Sequence, residues 1–132
     1  MNFHNALTLV FLAASLPTMA ETRICTAEVG TALLQSPSGE FSAGAVEVAG
    51  EKFMHSDRSG KWQASRYEVI HIFWPECREE GNFCDAGETG AGGYFVYKPE
   101  TNTFWVHMIW SGDAKQLMLI GGSCAKADTE DQ

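Results

Sequence analysis

Three histidines beyond the first twenty residues, His55, His71 and His107, are the side chains best suited to move protons near neutral pH or to bind a metal. No two of them have ligand spacing. In Glu68-Val69-Ile70-His71 the surrounding strand pattern sends positions i and i+3 to opposite faces. No Ser or Cys stands in a nucleophile motif such as G-x-S-x-G. Histidines set among large aromatics therefore read as structural and partly buried. Glu79, Glu80, Asp85 and Glu88 would be the material for a paired-carboxylate site, but acids crowded into one polar segment read more simply as a solvated, self-repelling loop. Gly87, Gly90, Gly92 and Gly93 do not lead a strand into a helix as a phosphate cradle requires, and they suit tight loop geometry instead. The sequence thus points to no cofactor and no metal, and to binding without catalysis.

The four cysteines, Cys25, Cys77, Cys84 and Cys124, suggest two disulfides in an oxidising compartment, with three pairings open. Cys77 and Cys84 flank a short polar loop, and Cys25 and Cys124 lie toward the two ends of the chain, so Cys77–Cys84 and Cys25–Cys124 are the favoured pairs. A zinc site would need closer Cys spacing and a nearby His, and neither pair has one in sequence.

Residues 1–20 carry a processing signal: an apolar run from Ala6 to Leu16, broken only by Thr8 and Ser15, then Pro17 and the small-residue ending Thr18-Met19-Ala20. His4 precedes the run, with no Lys or Arg. Cleavage after Ala20 is expected, leaving residues 21–132 as one domain in the periplasm or secreted. The run is too short to cross a bilayer of about 30 Å as a helix, and no later segment is longer. Thr22-Arg23-Ile24 ahead of Cys25 does not form a lipoprotein box. Seventeen acidic against nine basic residues leave a net charge of −8, which argues against nucleic acid or an anionic membrane surface and for a basic partner.

These residues must be carried by strands. No window shows a helical apolar stripe, whereas β-branched and aromatic residues cluster in short runs between Gly, Pro, Asn and Asp. Cys25 to Leu34 is the first run; it alternates poorly, leaving room for a helical turn around Ala27 to Leu33. Ala43 to Val48 and Lys52 to His55 read as a pair joined through Gly50. Trp62 to Trp74 holds one long strand or two short ones. Residues 75–93 read as a long loop stapled by Cys77 and Cys84. Tyr94 to Tyr97 and Thr103 to Trp110 form a hairpin across Lys98-Pro99-Glu100-Thr101-Asn102. Ser111-Gly112-Asp113-Ala114 then turns into Leu117 to Ile120, a strand ending at Gly121-Gly122, and residues 125–132 form a frayed tail. The expectation is an all-β antiparallel barrel or sandwich of about seven or eight strands. Its aromatics, Trp62, Trp74, Trp105, Trp110, Tyr67, Tyr94, Tyr97 and six phenylalanines, suffice for a core and leave candidates for an exposed anchor patch or a lined cavity.

The order Thr89-Gly90, Tyr94, Thr103-Phe104-Trp105, Gly112-Asp113-Ala114, Leu119 and Cys124 resembles the C-terminal part of the bacterial periplasmic inhibitors of c-type lysozymes. That resemblance implies a small exported β-barrel whose loop enters an enzyme cleft. The family's loop serine would correspond to Thr89, and its lysine after the aromatic strand has no counterpart, since Val106-His107 follows Trp105. A Cys near the start with Gly122-Ser123-Cys124 near the end is also similar to other small exported proteins of proteobacteria. The expected binding residues are Thr89, Gly90, Tyr94, Trp105 and His107, with a basic lysozyme-like enzyme as partner. A lipocalin-like carrier of an apolar ligand and an envelope-associated structural role are the alternatives.

Overall fold

The computed structural model describes residues 20–67, 72–87, 92–111 and 115–127, with the side chains of residues 109–111, 115 and 116 not described. Ten strands follow one another: β1 (Thr22–Gln35), β2 (Phe41–Ala45), β3 (Lys52–Ser56), β4 (Gln63–Arg66), β5 (Phe73–Trp74), β6 (Glu76–Arg78), β7 (Phe83–Asp85), β8 (Tyr94–Lys98), β9 (Thr103–Ser111) and β10 (Lys115–Lys126). They form one antiparallel sheet of order β5-β4-β3-β1-β10-β9-β8-β7-β6, with β2 also on β1. The two ends of this path, β5 and β6, are separated in the chain only by Pro75, so the sheet curls into a nearly closed barrel. The fold is all-β, as the sequence suggests.

Several local expectations change. The first run is strand throughout, and its poor alternation has a structural cause. In the pairing of β1 with β10, Ala27 faces Gly122 and Val29 faces Gly121, so Glu28 is an extra residue, a bulge. Cys25 and Ala27 point inward before it, and Gly30 and Ala32 are buried after it, so the inward parity switches from odd to even. Gly122 sits where the bulge presses on β10: a Cβ there would lie 2.0 Å from the Thr26 carbonyl oxygen. The segment 41–45 does not pair with 52–56. Both strands lie on β1, β2 against Thr31–Gln35 and β3 against Thr22–Thr26, because β1 is long enough to carry them end to end. The segment from Pro75 holds the β6–β7 hairpin, which brings the strand number to ten. β10 runs past Gly121-Gly122 to Lys126, so Ala125 and Lys126, expected in the frayed tail, pair with Ile24 and Arg23.

Both disulfides are formed as expected, Cys25–Cys124 and Cys77–Cys84. Each joins residues that face one another across a strand pair. Inside the barrel Phe53, Trp74, Phe95 and Phe104 make a closed circuit of rings, with centroids 5.4 to 6.2 Å apart. All four are buried, and each such side chain contributes on the order of 2 to 3 kcal/mol by leaving water. Trp74 donates its indole N–H to the Gly92 carbonyl at 3.3 Å, so the one polar atom of that quartet is satisfied.

Candidate functional site

Of the chemically capable residues, His55 on β3 is completely buried against the core aromatics. Its Nε2 donates to the Gly81 carbonyl at 2.6 Å, and its Nδ1 accepts from Arg23 Nη1 at 3.2 Å, which assigns a neutral imidazole protonated on Nε2. Burial pushes its pKa down to about 4, and the neighbouring Arg23 charge adds to the shift, against the Gly81 bond that raises it. The Arg23 guanidinium lies over the rings of Trp62 (4.6 Å) and Tyr97 (4.2 Å) and pairs with Glu21 at 2.6 Å. Both ring nitrogens of His55 are thus used internally, as expected for a structural histidine. His55 also lies beside Cys77 and Cys84, its ring nitrogen within 4.8 Å of their sulfurs. The absence of a histidine near the cysteine pair therefore holds in sequence and fails in space, and the two sulfurs are bonded to each other. Glu79 and Glu80 project into solvent at the β6–β7 turn, and Asp85 is 3.9 Å from Arg78.

The other side of the sheet is different. Alternation sends Tyr94 and Val96 of β8, Trp105 and His107 of β9, Leu119 and Gly121 of β10, and Val29, Thr31 and Leu33 of β1 to the outer face. Register aligns them in two rows. One runs Tyr94, His107, Leu119, Thr31; the other runs Val96, Trp105, Gly121, Val29. The Tyr94 ring stacks on His107 at 5.9 Å and meets Phe83 of β7 at 5.1 Å. Val29 is 68% exposed, Leu119 47% and Trp105 39%. Gly121 leaves a gap in this surface: an added Cβ would meet nothing closer than the Phe104 carbonyl oxygen at 3.7 Å. The gap floors a groove of about 430 Å³ lined by Val29, Gly30, Thr31, Trp105, Leu119 and Ile120, with no charged side chain.

Three of the residues singled out from sequence, Tyr94, Trp105 and His107, therefore stand together on one exposed face. Thr89 and Gly90 lie outside the described residues, as do His71, Glu88, Gly112 to Ala114 and residues 1–19. Gly93, with φ 81°, fits against the β9 backbone so closely that a Cβ would strike the His107 carbonyl oxygen, which sets the chain leading into Tyr94 beside this face. Val29, Leu119 and Gly121 were missed as site residues. The available signal was Leu117-Met118-Leu119-Ile120, a run apolar at both parities, which leaves some apolar side chains outside any core that buries only one face.

No family model, curated protein or solved structure matches this chain. Among the described residues no helix is long and apolar enough to cross a membrane. The two disulfides are compatible with an oxidising, exported compartment.

Proposed function

We propose that this is an exported, non-enzymatic binding protein that docks a basic protein on the outer face of β8, β9, β10 and β1, and that it acts as an inhibitor of a lysozyme-like enzyme. One observation carries the reading: a contiguous apolar and aromatic face, notched at Gly121, on a chain of net charge −8. Contiguous exposed apolar surface of this kind marks interaction sites. Tyr and Trp beside a pocket are the anchors that dominate interface energetics, and the acidic field steers a basic partner toward them. Of the positions that resemble lysozyme inhibitors, Thr89, Gly90 and Tyr94, the last stands exposed on this face, which suits the reading. Export rests on the leader-like residues 1–20 together with the disulfides, with the periplasm or the exterior as the destination. A lipocalin-like carrier holds its ligand along the barrel axis, which here is filled by Phe53, Trp74, Phe95 and Phe104.

The test is titration of the purified, oxidised protein into a c-type lysozyme cell-wall lysis assay at low salt and at about 150 mM salt. Stoichiometric inhibition that persists at the higher salt is the expected result. Inhibition only at low salt would mark a nonspecific acid–base encounter, and either that result or no inhibition at all would remove the inhibitor reading.

A further inference from the structure

Sheet edges are normally blunted by charge, proline, shortness or a bulge, because their free N–H and C=O groups recruit other strands. Two edges of this sheet obey. β5 is two residues long and runs into Pro75, and β6 carries Glu76 and Arg78. The edge of β2 does not: it reads Phe41-Ser42-Ala43-Gly44-Ala45, uncharged and exposed at every position, with Phe41 66% exposed.

Its free backbone groups can be identified. The bonds from Ser36 N–H to the Glu40 carbonyl (2.8 Å) and from Val46 N–H to the Gly30 carbonyl (3.1 Å) bracket the β1–β2 ladder. Antiparallel ladders alternate, so Ser42 and Gly44 turn their N–H and C=O toward β1, and Phe41, Ala43 and Ala45 turn theirs away. Nothing among the described residues takes those groups up.

We propose that two copies of this chain associate through β2, antiparallel, about a two-fold axis at Ala43. In this register Ala43 faces Ala43 of the second copy, and Phe41 faces its Ala45, each as a reciprocally hydrogen-bonded pair. The outward groups are then the ones that meet, and a large ring lies opposite a small side chain. The local charges permit this occupant, although each copy carries a net charge of −8. The flanking acids Glu40 and Glu47 fall opposite Val46 and Gly39 of the second copy, so no like charges confront each other across the axis. A basic strand, which the whole-molecule charge would attract, finds no acid on β2 to pair with. Phe41 and Ala43 share the outer face with Leu33, so the two-fold brings both apolar outer faces to one side of a continuous sheet.

An interface this small gives a weak dimer, with a dissociation constant on the order of tens to hundreds of micromolar. Sedimentation of the purified, oxidised protein over about tenfold either side of that range should show the dimer fraction rising with concentration. Ala43→Glu and Ala43→Lys each place like charges directly opposite one another, and each should leave only monomer, with thermal unfolding near the wild-type temperature. Mixed in equal amounts, the two variants should recover a dimer at least as strong as the wild type. Wild-type protein that stays monomeric throughout overturns the proposal. So does a dimer that survives both substitutions, or a mixture that fails to recover one.

Discussion

Lowering the pH should weaken the fold through His55, and the amount follows from its surroundings. His55 is buried and neutral, with its pKa lowered from 6.5 to about 4. Above pH 6.5 neither the folded nor the unfolded chain holds this proton, and the stability is complete. As the pH falls from about 6.5 to about 4, the unfolded chain takes up the proton and the folded chain does not, so stability drops. Below about 4 both states are protonated and this group adds no further loss. At about 1.4 kcal/mol per pKa unit, the total is roughly 3 kcal/mol. Urea unfolding at half-unit pH steps, with both disulfides intact, measures this directly. His55→Gln removes the titration while keeping an amide N–H within reach of the Gly81 carbonyl. Subtracting the variant's profile from the wild type's cancels the carboxylates common to both and should leave a step of that size between pH 4 and 6.5. A difference profile that is flat across this window would refute the neutral, buried assignment.

Other consequences are as direct. Gly122→Ala sets a methyl group against the Thr26 carbonyl at the β1 bulge and should lower stability by about 1 to 3 kcal/mol or more in urea unfolding. Glu79 and Glu80 hold φ values of 54° and 58° at the β6–β7 turn; replacing either by Gly should stabilise by about 0.5 to 1 kcal/mol, read as a raised Tm. Removing Cys25–Cys124, whose partners are 99 residues apart, should cost about 4 to 5 kcal/mol, against about 2 to 3 for Cys77–Cys84 with a separation of 7. The ranking of the two double Cys→Ala variants in urea is the check. Trp105→Ala should weaken partner binding by about 2 kcal/mol or more, with little change in Tm, because its ring lies on the exposed face.

The fold class was legible because strand signals are local: the Tyr94–Tyr97 and Thr103–Trp110 hairpin and both disulfide pairings could be read without the structure. What escaped depended on geometry that sequence order does not carry. The bulge at Glu28 switches which residues of β1 face inward, so a run that alternates poorly is nevertheless one strand of 14 residues. Length in turn lets β1 hold β2 and β3 end to end, where sequence proximity suggested that those two pair with each other. Glu76-Cys77-Arg78 and Phe83-Cys84-Asp85 look like loop because only their cysteines face the interior, and strands of three residues show no period. His55 reaches the Cys77–Cys84 bridge only through the curl of the barrel. The binding face was half legible: Tyr94, Trp105 and His107 were recognisable as a group, but β10 and β1 complete it only once register sets Leu119 beside His107 and Val29 beside Gly121.

The central claim is that the notched outer face is where a partner docks, and Gly121 tests it most directly. At this position an added Cβ meets nothing closer than an ordinary van der Waals contact, on a strand with ordinary backbone geometry, so Leu fills the groove from the outer face and leaves the core in place. Calorimetric titration of c-type lysozyme with the wild type and with Gly121→Leu, at about 150 mM salt, should show affinity falling by at least about tenfold in the variant, a change of about 1.4 kcal/mol, at an unchanged Tm. Equal affinity for the two proteins, or no binding by either, would contradict the account.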